Sequence, residues 1–127
     1  MRSSMVIALV LLAIVLAGGT FMALRAAEVS EMFTDAAQDL RGFVLAEQWE
    51  EAVRRLTAYR LAWEELLPGL QMQIDHEATD DVTLALEHIA AGLESQNLPL
   101  ALLGCRNLRE SASHLHHRDA FTWANIL

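Results

Sequence analysis

From Met5 to Leu24 the chain runs MVIALVLLAIVLAGGTFMAL, twenty consecutive residues without a charge, between Arg2 and Arg25. Twenty residues at helical rise span about 30 Å, the thickness of a bilayer core, so this stretch is expected to cross a membrane. A cleaved signal peptide is the competing reading, with Arg2 as the charged region and Ala17-Gly18-Gly19 as a small-residue cleavage site. An uncleaved anchor is preferred, because the apolar run continues past that site through Phe21, Met22 and Leu24. Lysine and arginine counts decide orientation, and Arg2 together with the acids that follow Arg25 gives a slight bias. The expectation is residues 1–4 in the cytoplasm, 5–24 in the membrane and 26–127 outside it. That exported part carries seven arginines against all seventeen acids, a formal −10.

Beyond the anchor the apolar residues keep helical spacing. Val29, Phe33, Ala36, Leu40 and Phe43 or Val44 recur at three and four residues, which predicts that the anchor continues as a helical stalk over 25–45. A second stripe joins Trp49, Ala52, Val53, Leu56, Tyr59 or Arg60, Trp63, Leu66 and Leu67, and Pro68-Gly69 is expected to stop it. A third runs from Thr79 or Asp80 to Glu94 with Val82, Leu86, Ile89 and Leu93 inward, ending at Ser95-Gln96-Asn97. A fourth starts at Pro99, suited to a first helical turn, and carries Leu102, Cys105, Leu108, Ala112 and Leu115 inward. No strand alternation of useful length competes. The predicted fold is all-α: an N-terminal transmembrane helix continuing into a small antiparallel bundle of three to four helices, with 46–127 forming the extracytoplasmic bundle and its C-terminal tail. Setting Trp49–Leu56 over Leu98–Cys105 superposes the inward positions. Any two amphipathic helices align this well, so the match is read as packing logic; a true repeat would imply a peptide-binding groove.

The net charge of −8 argues against nucleic acid, whose phosphates need a basic face. One cysteine, Cys105, allows neither an internal disulfide nor a cysteine zinc site, and its leucine neighbours mark it as a small core side chain. The densest ionisable stretch is Gln73-Ile74-Asp75-His76-Glu77-Ala78-Thr79-Asp80-Asp81. His76 with Asp80, or Glu77 with Asp81, would share a helix face, and His88 follows two turns on, so a divalent metal could in principle gather at His76, Glu77, Asp80 and Asp81. The spacing lacks the His-Glu-x-x-His arrangement of zinc hydrolases. Helix capping explains the same letters better: Asp75 or Thr79 can accept backbone N–H bonds, and the acids suit a helix amino terminus. His76 could instead be buried in the corner, fastening the second helix to the third. His114, His116 and His117 fall at the end of the fourth helix, where cations suit the dipole; a metal or an acid-sensing role is the sharper alternative. No serine nucleophile with a paired base, glycine-rich phosphate loop or carboxylate pair of recognisable spacing is present, so neither an enzyme nor a cofactor is expected.

The order of these features resembles a known family. An uncharged amino-terminal span, Glu47-Gln48-Trp49-Glu50-Glu51-Ala52 opening a helix, Trp63 near its end, Ile74-Asp75-His76-Glu77 at the next helix start and a closing Asn125-Ile126-Leu127 look like an uncharacterised family, a domain of unknown function, of small single-span proteins from clostridia and related Gram-positive bacteria. The resemblance implies a membrane-anchored helical domain outside the cytoplasm with no assigned activity, cofactor or catalytic residue. The chain departs from it in using arginine without lysine and in placing Pro68-Gly69 where a lysine-rich helix usually continues. The expected function is a non-catalytic module docking onto another membrane or envelope protein, using the stalk, the small-residue face Gly19, Ala23 and Ala27, and exposed aromatics. The tail Phe121–Leu127 is expected to close over the bundle or to hook a partner. The alternative is an extracytoplasmic binding protein for a divalent cation or small ligand at His76. Oligomeric state is not legible.

Overall fold

A computed structural model describes the backbone of residues 2–126 and the side chains of all of these except 22, 23 and 116–126. Four helices follow one another: α1 Arg2–Leu45, α2 Trp49–Gln71, α3 His76–Glu94 and α4 Leu98–Ile126. No strand occurs among the described residues, so the fold is all-α as the periodicity predicts. The expected closing or hooking role of the tail, and the expected roles of His116 and His117, concern side chains outside the described ones.

α1 is one unbroken helix of 44 residues. Among the described residues of its apolar stretch none is buried, and Ala26 is the first buried side chain described. Length and composition suit a membrane span, and a signal sequence meets the same two criteria. From there Val29, Ser30, Phe33, Ala36, Ala37, Leu40 and Val44 are buried, one stripe facing the other helices. Ser30 Oγ donates 2.6 Å to Ala112 O, while Ala37 and Arg41 share a cleft with Cys105 and Leu102, so numbers rise along α1 as they fall along α4. Tyr59 opposite Asp39 and Trp63 opposite Phe33 give α2 the same counter-running register on α1.

Three sequence expectations are corrected. Pro68 does not stop α2, which continues to Gln71. Proline inside a helix loses one hydrogen bond and crowds the carbonyl four residues back, at about 3 kcal/mol. Burial of Leu70 and Ile74 just beyond it offsets that, at about 1.5–3 kcal/mol per side chain. α3 begins at His76, not at Thr79 or Asp80. The expected inward position of Val53 is also wrong: it is exposed, and Ala52 and Leu56 alone take that turn of the core.

The buried positions of α1 and α3 follow one pattern. Val29, Ser30, Phe33, Ala36, Ala37, Leu40 and Val44 of α1 correspond, each 49 positions later, to Ala78, Thr79, Val82, Ala85, Leu86, Ile89 and Leu93 of α3. Ser30 and Thr79, the two buried polar residues described, fall on the same site. The α1–α2 and α3–α4 turns match as well. Glu47 and Gln96 take positive φ, 55° and 48°, and the next residues return backbone N–H bonds to Phe43 O and Gly92 O. This is a Schellman closure built without glycine.

Within that shared frame the partner helices differ in bulk. At equivalent places α2 carries Leu56 and Trp63 where α4 carries Cys105 and Ala112. Small side chains let α4 pack tightly on both α1 and α3, whereas large ones hold α2 farther out. Trp63 fills the space this leaves. Its ring meets Phe33 edge-on, centroids 5.2 Å apart, and its Nε1 donates to Thr83 Oγ1 at 2.9 Å.

Candidate functional site

The corner between α2 and α3 is built by capping. Asp75 Oδ1 accepts the Glu77 N–H at 3.2 Å, which makes Asp75 the N-cap and excludes Thr79 from that role. Thr79 is fully buried and donates instead to His76 O. His76 is exposed, contrary to the expectation that it might be buried between the helices. Glu77, Asp80 and Asp81 are exposed too, along the first turns of α3. Among the described residues no three histidine, cysteine or acidic side chains are gathered as a metal would require.

The structure brings together residues that the sequence leaves apart. Asp81 and His88 of α3 border a shallow depression with Glu110 and His114 of α4. His88 is half-buried and His114 exposed. A second assembly is a latch between α1 and α2. Tyr59 Oη donates 2.6 Å to Asp39 Oδ2; Arg55 lies 3.7 Å from the same carboxylate and 3.2 Å from Glu51, and stacks over the Phe43 ring at 5.1 Å. Partial burial, with the Asp39 bond adding, pushes the Tyr59 hydroxyl up to about 12. The Glu51 hydrogen bond and the Asp39 charge raise Arg55 above its ordinary value.

A third assembly is a cleft of about 560 Å³ between α1 and α4. Ala37, Leu102 and Cys105 are apolar parts of its lining, and Arg41, Arg106 and Arg109 supply three cations. Arg106 and Arg109 stand three apart on α4 and so share a face; α1 contributes Arg41. Arg106 lies 3.7 Å from Glu110, whereas Arg41 and Arg109 form no ion pair among the described residues. Burial pushes the Cys105 thiol up to about 11, against the opposing pull of Arg41, so this cysteine stays a neutral wall at neutral pH. Three of the seven arginines beyond the anchor thus meet in one place on a strongly acidic domain. Such a cleft can take a carboxylate- or phosphate-bearing group. Only the Arg106 and Arg109 spacing hinted at it; the third arginine needed the register of α1 on α4.

Over residues 22–126 the sequence matches the family described as a domain of unknown function (DUF4363), and the chain belongs to that family. The match spans the whole bundle and leaves out most of the apolar stretch. No curated protein and no solved structure matches the chain.

Proposed function

We propose that this DUF4363 chain is a non-catalytic, single-span module that holds its bundle outside the cytoplasm and docks it onto another membrane or envelope protein. The arginine cleft carries the reading. A basic, apolar-floored depression on a domain of formal −10 suits an acidic segment of a partner: its charge attracts that segment and the rest of the surface repels other acidic contacts. The unbroken α1 supports the tethering half of the proposal, since the exposed apolar run and the buried stripe belong to one rigid element. Arg41, sixteen residues beyond Arg25, would stand about 24 Å above the end of the span.

Site-specific photocrosslinking in the full-length chain tests this. A crosslinker at Leu103, exposed on the cleft wall, is expected to capture a membrane or envelope protein. The same adduct should vanish when Arg41 and Arg109 are both replaced by glutamate. A crosslinker at Leu61, exposed on α2, serves as the off-face control. No adduct at Leu103, or one that survives both charge reversals, overturns the docking role.

A further inference from the structure

A separate notch lies at the other end of the bundle, where α2 returns beside α1. Phe21 and Arg25 of α1 face Glu65, Leu66 and Leu70 of α2 and Gln73 of the following turn across a cavity of about 370 Å³. We propose that this notch seats the headgroup of an ethanolamine phospholipid from the leaflet that the bundle faces. The proposal rests on α1 spanning a membrane.

Height is the first argument. Asp39 pairs with Tyr59 and Phe33 with Trp63, and the same counter-running register carried toward the amino terminus sets Arg25 level with the end of α2. A span of twenty residues ending at Leu24 fills about 30 Å of hydrocarbon, so Arg25 stands where lipid phosphates lie. The notch is therefore at headgroup depth. Met72, beside it, is 88% exposed, more than any other large apolar side chain described. Water is a poor solvent for that side chain and the interfacial region a better one.

Chemistry is the second. Arg25 and Glu65 line one notch but form no ion pair among the described residues, leaving one positive and one negative wall. Gln73, at the same notch, has its Oε1 buried with no hydrogen-bond partner, an acceptor that lacks a donor. A zwitterionic headgroup with a primary ammonium matches this pair of charges: phosphate on the Arg25 guanidinium and ammonium N–H groups on the Glu65 carboxylate, with Gln73 Oε1 an acceptor for the same ammonium once that side chain turns toward the notch. Phe21, Leu66 and Leu70 would cover the glycerol and the first acyl carbons. A choline headgroup has no N–H to donate, and a glycerol headgroup brings no positive charge to Glu65.

The test uses the full-length protein, reconstituted with equal phosphatidylethanolamine, phosphatidylglycerol and phosphatidylcholine and examined by native mass spectrometry. One retained phosphatidylethanolamine per chain is expected, with Arg25→Gln lowering retention about tenfold, the loss of one charge-assisted contact. A Cβ on Gly69, which also lines the notch, meets nothing within 4 Å, so Gly69→Trp fills the site without disturbing the helix and should abolish retention at an unchanged melting temperature. Equal retention of all three lipids or retention that survives Gly69→Trp overturns the headgroup site, and equal competition by water-soluble phosphoethanolamine overturns the phospholipid as its occupant. Carbonate extraction of the same membranes separates the two readings. A chain that resists extraction but retains no lipid refutes the notch alone; a chain that is extracted refutes the span and the notch with it.

Discussion

Gly92 of α3 and Ala101 of α4 stand in backbone contact: a Cβ placed on Gly92 would lie 2.5 Å from Ala101 N and 2.7 Å from its Cα. Gly104 repeats the relationship from the other helix, its added Cβ falling 2.8 Å from Ile89 N. Backbone cannot yield as a flexible side chain can. Gly92→Ala and Gly104→Ala are therefore each expected to destabilise the bundle by about 1–3 kcal/mol, although alanine is the better helix former. Gly42, where an added Cβ meets nothing within 4 Å, provides the contrast: Gly42→Ala should stabilise by roughly 0.5 kcal/mol. Urea unfolding followed by far-UV circular dichroism reads all three, and a neutral Gly92→Ala would mean the helices are not in contact there.

The corner offers a paired comparison. Asp75→Ala removes the oxygen that accepts the Glu77 N–H and should cost about 1 kcal/mol, the usual value of an N-cap. His76, its exposed neighbour, should tolerate alanine within about 0.5 kcal/mol. Equal losses at the two positions in the same unfolding assay would contradict this assignment of roles.

Tyr59 makes stability depend on alkaline pH. Its hydroxyl ionises near 10 when unfolded and is pushed up to about 12 in the fold, so between those values the folded state holds a proton that the unfolded chain releases. The stabilisation is complete below pH 10 and is lost as pH rises toward 12. The wild-type urea midpoint should fall across that window more steeply than that of Tyr59→Phe, which has no hydroxyl to titrate. Parallel curves for the two proteins would mean that the fold does not hold the Tyr59 hydroxyl protonated across that window.

Helix spans were legible where a buried stripe repeats at three and four residues, as from Val29 to Val44 and from Val82 to Leu93. Pro68 misled because a local rule was applied where Leu70 and Ile74, packed further along the chain, decide the outcome. The pattern shared by α1–α2 and α3–α4 was visible only as a weak match between two helix starts. Among its buried pairs, Ala36 with Ala85 and Ala52 with Ala101 keep the same letter, whereas Phe33 with Val82 and Trp63 with Ala112 share only a place in the core. Arg41 lies far from Arg106 and Arg109 in the chain, and no spacing rule links them; the register fixed by Ser30 Oγ on Ala112 O is what brings them to one cleft. His88 and His114 were unlinked for the same reason, their neighbourhood being set by how closely Gly92 and Gly104 let α3 and α4 approach.

Because α1 has no break between its apolar stretch and its buried stripe, the number of residues joining them acts as a compass setting. In a bilayer, each residue added or removed near Arg25 would turn the whole bundle by roughly 100° about the helix axis and shift it by about 1.5 Å. One such change leaves every core contact beyond Ala26 intact, yet it turns the arginine cleft to a different bearing in the membrane plane.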